Sequence, residues 1–193
     1  NLTSIDQTTD TPTNNFATSN PLEKEPPAYS EGNLAYTCGA VWRLAPSTIA
    51  VNTGKWYAEF KVGGVNTVVG IASVTDMANN TILSLGSTAN SIGYDSGGAR
   101  GINSSWVAYG SSFTTNDIIS IALDMDNNNL YFAKNGTYQN SGVPTSGATG
   151  TGAISIATSD FYILGNSVNN NAGYSNFGNA PYTIASGNAD ANG

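Results

Sequence analysis

The sequence predicts an all-β fold, a two-sheet antiparallel β-sandwich with an extended N-terminal arm, and three observations carry that expectation. Only 10% of the 193 residues are charged, against roughly 25% in a typical soluble chain, and Asn, Ser, Thr and Gly take the place of the missing charge. From Gly32 onward, short apolar runs are separated by Gly, Asn, Ser and Asp, the spacing of a sandwich. In residues 55–62, Trp56, Ala58, Phe60 and Val62 alternate with Lys55, Tyr57, Glu59 and Lys61, which a strand sorts onto two faces and a helix would scatter. The length suits one domain, with residues 1–31 as arm or linker and 32–193 as the sandwich.

The arm holds Pro12, Pro21, Pro26 and Pro27, each removing a ladder donor and biasing its predecessor towards extended geometry. It is expected to lie over a neighbouring surface, pinned by Phe16 and Leu22, or to link to a preceding domain. The first strands are expected at 33–37 and 48–52, followed by 55–62. Residues 67–73 follow Gly63 and Gly64 and read as the hairpin partner of 55–62. Further strands are expected at 91–95, 106–109, 117–124 and 129–134, then at 153–157, 160–164 and 174–177. In 117–124, Ile119, Ile121 and Leu123 share one face. No convincing helix is found, and 147–152 and 166–173 read as exposed loops.

Composition also excludes chemistry. Histidine is absent, which removes every His-dependent triad, and a lone Cys38, read as a small buried apolar residue, permits neither an intrachain disulfide nor a cysteine-built zinc site. Asp124, Asp126 and Asn128 open like a calcium loop, but Asn129 and Asn135 stand where glycine and glutamate are required, so a polar turn is preferred. Glu59 has only Tyr57 and Lys61 beside it on its strand face, not the second carboxylate that glycoside hydrolysis needs, and reads as part of a solvated face. Ser96-Gly97-Gly98 is followed by no helix and is a loop rather than a phosphate cradle. The N-x-[ST] triplets at Asn79, Asn103 and Asn135 are expected by chance in such a composition. No cofactor is expected.

A net charge of −7 opposes phosphate backbones and anionic membrane surfaces, so no nucleic-acid partner is expected. Four of those charges fall in residues 1–31, and charge is not expected to be the means of recognition. There is no 18-residue apolar stretch and no basic-then-apolar leader, so no membrane insertion is expected, and the opening at Asn1 suggests a piece cut from something longer. The candidate binding residues are Trp42, Tyr94, Arg100, Trp106, Tyr109 and Tyr138, aromatics and an arginine near strand ends. Packing into the sandwich is the competing reading for each, above all for Trp106 and Tyr94.

Three stretches together resemble a SPRY domain, a concanavalin A-like, jelly-roll-like β-sandwich. Gly54-Lys55-Trp56-Tyr57-Ala58-Glu59-Phe60 is similar to the family's early strand. The block from Tyr109-Gly110 through Asp117 to Asp124 and on to Lys134-Asn135-Gly136 resembles its Asp-led apolar strand, acidic turn and strand ending Lys-Asn-Gly, and Ile92-Gly93-Tyr94 fits ahead of it. Asn176-Phe177-Gly178 with Pro181-Tyr182 resembles its closing motif, whereas Ala133 stands where the family commonly has an aromatic residue. The arm, from Asp10-Thr11-Pro12 to Phe16 with Asn20-Pro21 and Gly32-Asn33-Leu34, resembles the lead-in to such modules in tailed-phage structural proteins, and residues 187–193 are similar to a segment after which those proteins continue.

The resemblance implies a non-catalytic binding module of a phage tail fibre or surface fibre, located on the virion surface, that recognises a host-surface glycan or protein. It also implies other virion proteins as partners and a homo-oligomer, with a trimer expected. The alternatives are an architectural capsid or tail protein touching only other virion proteins and, further off, a glycan-cleaving β-sandwich enzyme.

Overall fold

The computed structural model describes residues 15–79, 84–157 and 160–182. Along the chain run β1 (Ala28–Ser30), β2 (Ala35–Thr37), β3 (Arg43–Val51), β4 (Lys55–Val62) and β5 (Thr67–Ser73). A short helix, α1 (Val74–Asn79), comes next, then β6 (Ser91–Asp95), β7 (Ala99–Ile102), β8 (Ser105–Ala108), β9 (Ile118–Asp124) and β10 (Asn129–Lys134). β11 (Thr137–Tyr138), β12 (Ile154–Ser155), β13 (Tyr162–Val168) and β14 (Ala172–Asn176) complete the order.

All pairings are antiparallel, and they build the two sheets of a sandwich. One has eight strands in the order β1-β2-β14-β4-β9-β10-β11, with β12 also on β10; the other has six, β3-β13-β5-β6-β7-β8. The alternation within β4 and β9 turns Ala58, Phe60, Val62, Ile119, Ile121 and Leu123 inward. They meet Val69, Ile71, Ile92, Tyr94, Tyr162 and Leu164 of the second sheet in one continuous core, at roughly 1.5–3 kcal/mol for each large side chain fully buried. Trp56 shares the inward parity of β4 but stands at its open end, 44% exposed, and so does not join the core as the alternation suggests.

β4 and β5 are not a hairpin. β4 lies between β14 and β9, while β5 lies between β13 and β6, so 63–66 carries the chain from one sheet to the other. β5 is buried along its whole length because its outer side is covered too. There Leu44, Val68, Ala72, Leu85 and Ile163 form a second cluster, and the Leu85 N–H donates to Ser167 Oγ at 2.9 Å. The segment expected as a loop at 166–173 begins as buried strand through Val168. α1 escapes a periodicity reading because six residues make less than two turns; Ser73 Oγ caps it by accepting the Asp76 N–H at 3.0 Å.

The described part of the arm lies on its own sandwich. Thr48 N–H donates to Thr18 O and Asn20 N–H to Pro46 O, covering the free edge of β3, and Ser19 Oγ lies 3.1 Å from Ser175 Oγ. β1 then adds to β2 as a sheet edge. Phe16 packs against Gly178, but Leu22 is 89% exposed and pins nothing. Residues 1–14 and 183–193, which carry parts of the arm and tail resemblances, lie outside the described residues. Cys38 is only half-buried; its Sγ donates to Val41 O at 2.8 Å.

Candidate functional site

The six candidate residues fall in four places. Tyr94 is fully buried in the core, with its ring 5.2–5.5 Å from those of Phe113, Phe132 and Tyr109 and its hydroxyl donating to Ser111 O. Tyr109 packs on the same cluster, with its ring centroid 6.0 Å from that of Phe132. Arg100 is the cross-strand neighbour of Tyr94 on one side and of Val107 on the other, at the half-buried margin of the six-stranded sheet. Tyr138 is on the opposite sheet, paired with Ala133 and edge-on to Tyr131 at 6.5 Å. The small Ala133, where a SPRY domain commonly carries an aromatic side chain, is fully buried at this register.

Trp42 and Trp106 come together. They line one groove of about 330 Å³ on the outer face of the six-stranded sheet, with Asn66, Ser84, Asp95 and Ser96. Glycine makes room for it. In the register of β6, β7 and β8, Gly93, Gly101 and Trp106 lie side by side. A Cβ on Gly101 would stand 2.6 Å from the Trp106 ring, and one on Gly93 would collide with Val68 and the Leu85 carbonyl. With no side chains there, the Trp106 indole lies on the sheet and still keeps 41% of its surface in solvent. β8 itself is exposed at all four residues and among the described residues pairs only with β7, so the groove opens beside a strand edge that no described strand covers.

A second groove of about 240 Å³ lies on the outer face of the eight-stranded sheet, lined by Trp56, Tyr57, Ala122, Tyr131 and Pro144 with Lys55 and Asp124 at one end. Its two charges are already spent on each other, Lys55 Nζ lying 2.6 Å from Asp124 Oδ2. Burial acts to raise the Asp124 carboxyl, but Lys55 and the Asn127 side chain and N–H outweigh it and hold the group below its ordinary value. Asp126 accepts the Gly54 N–H at 2.7 Å, so both carboxylates of the calcium-like stretch serve the turns around them. Among the described residues no group of three or more acidic or cysteine side chains could hold a metal ion.

Glu59 does not stand on a solvated face. It is 1% exposed, accepts from Tyr57 OH at 2.7 Å and from Asn176 Nδ2 at 3.3 Å, and raises the Tyr138 hydroxyl in second place after burial. The covering side chains come from β14 and the segment after β10, which strand-local alternation cannot reveal.

The SPRY domain family matches residues 55–173, from the start of β4 into β14. A 95-residue stretch, 49% of the chain, is 33% identical to a part of the ATP-dependent RNA helicase DDX1 of Xenopus laevis. That stretch covers 12% of the helicase, so the similarity concerns one module of a much longer protein. A sandwich of two antiparallel sheets, a family match over more than half the sequence and the motifs at Lys55, Asp117 and Lys134 agree: the chain belongs to the SPRY domain family of protein-interaction modules.

Proposed function

We propose that this chain is a non-catalytic interaction module whose binding surface is the groove between Trp42 and Trp106. The observation that carries the reading is the convergence of two tryptophans, distant in sequence, on one open groove bedded on glycine. Both indoles are held by the fold, Trp42 against the Leu44 and Leu85 cluster and Trp106 over Gly101, so little side-chain entropy is lost when a partner docks. Large, rigid, part-exposed aromatics in a concave site are the usual anchors of an interface.

The setting we propose is a virion surface, as part of a phage tail fibre or surface fibre that meets a host-surface glycan or protein. The similarity of the arm and of residues 187–193 to phage structural proteins supports it, as does the sparsely charged, Asn-, Ser- and Thr-rich composition. Other virion proteins and further copies of the chain, as a trimer, are the proposed neighbours. Repetition would raise effective concentration without new contacts. The acidic balance supports a partner other than nucleic acid. Glycan arrays and adsorption to bacterial cells with the multimerised protein test the reading: saturable attachment in either is expected, and silence in both would replace it with a purely architectural role.

A further inference from the structure

The Trp42–Trp106 groove contains one charged group, Asp95, and among the described residues that carboxylate takes part in no ion pair. Its Oδ1 accepts the Ala99 N–H at 2.7 Å, while the Asp95 carbonyl accepts the Gly98 N–H at 3.0 Å, closing the turn between β6 and β7. Oδ2 accepts no hydrogen bond from the described residues. The turn therefore fixes the carboxylate in place and leaves half of its acceptor capacity open.

We infer that this groove receives an arginine side chain of a partner protein, an inference that rests on reading the groove as the binding surface. A carboxylate that shares a groove with two indoles complements a cation twice, by direct charge and by the negative face of each ring. Guanidinium fits better than ammonium because it is planar, stacks on aromatic rings and presents several donors at once. Those donors meet Asp95 Oδ2 and the side-chain oxygens of Asn66 and Ser96, and among the described residues no lysine or arginine lines the groove to compete. The groove on the other sheet lacks this capacity, since Asp124 is already paired with Lys55.

The three tryptophans make the test internal, because Trp56 lies on the other sheet and serves as the control. ¹⁵N-labelled full chain is titrated with N-acetyl-L-arginine amide while the three indole N–H resonances are followed. Saturable shifts of Trp42 and Trp106 are expected with Trp56 unmoved, weakened about fivefold or more in Asp95→Asn and weaker with N-acetyl-L-lysine amide. Asn at 95 retains the oxygen that accepts from Ala99; should that variant melt early, Trp106→Leu, which removes a part-exposed ring, is read in its place. Absence of saturation, equal shifts in Asp95→Asn, or the same shifts from methyl α-D-glucoside would overturn the inference. A silent arginine probe alongside cell attachment that still depends on Trp106 would sink the arginine assignment alone, whereas attachment indifferent to both tryptophans would sink the reading of the groove beneath it.

Discussion

Asparagine does in this chain what glycine does in most turns. Asn33, Asn66, Asn103, Asn116, Asn128, Asn135, Asn140 and Asn170 all adopt positive φ, a region where Asn is tolerated because its short polar side chain bonds locally. Asn135 shows both halves of the reason: φ is 48°, Oδ1 accepts the Ile118 N–H at 2.8 Å, and Nδ2 donates to Asp117 at 2.7 Å. Asn135→Ala is therefore expected to cost about 2 kcal/mol in urea unfolding, and a change within a few tenths of a kcal/mol would contradict that account. Composition alone made the abundance of turns legible, but not which asparagines bend the chain. Glu59 was legible only in part: its strand and its face follow from the sequence, its burial does not, because Asn176 reaches it from 117 residues away. Glu59→Ala should lower stability by about 2–3 kcal/mol and leave cell attachment per folded molecule unchanged; lost attachment with intact stability would move the site to the wrong sheet.

Among the elements, short apolar runs bounded by turn residues are legible to within a residue or two, as at β4, β6 and β10. β3 was read only in its second half because Pro46 interrupts it. The structure carries the strand through Pro46 since β3 is an edge strand with a register shift opposite Ile163–Gly165, where a missing N–H does least harm. The supposed β4–β5 hairpin failed for a related reason: two glycines mark a change of direction, not which sheet the chain joins next. The tryptophans of the groove were named from the sequence as candidates, but Asp95 and the glycine bed were not, because their roles exist only in the cross-strand register. Gly101→Ala should displace the Trp106 ring, lowering attachment more than stability; Gly93→Val, facing Val68 and the Leu85 carbonyl, should cost about 2 kcal/mol or more in stability. Thermal melts and adsorption of the same two proteins distinguish these outcomes, and equal effects of both variants on attachment would count against the ring's role.

At the scale of the whole molecule, some of the few charges bind the sandwich together. Asp117 receives the Thr114 N–H, Asn135 Nδ2 and the Lys134 ammonium at 3.2 Å, linking the start of β9 to the end of β10. Burial acts to raise its carboxyl, and these contacts together hold it below the ordinary value, as they do at Asp124. A folded-state pKa below the unfolded one means stabilisation present in full above about pH 3.9 and lost as pH falls through the folded value. Urea midpoints should thus stay level from about pH 7 to 5 and fall below about 4, with a smaller fall in Asp117→Asn; an unchanged fall in that variant would contradict the assignment.

The claim that this sandwich binds through the outer face of its six-stranded sheet meets its most direct test in a comparison of three single variants in saturable adsorption to bacterial cells. Trp42→Ala and Trp106→Ala should each weaken attachment about tenfold or more, with Trp56→Ala retaining that of the unmodified protein at equal folded fraction. Loss confined to Trp56→Ala would place the binding surface on the other sheet and contradict the account.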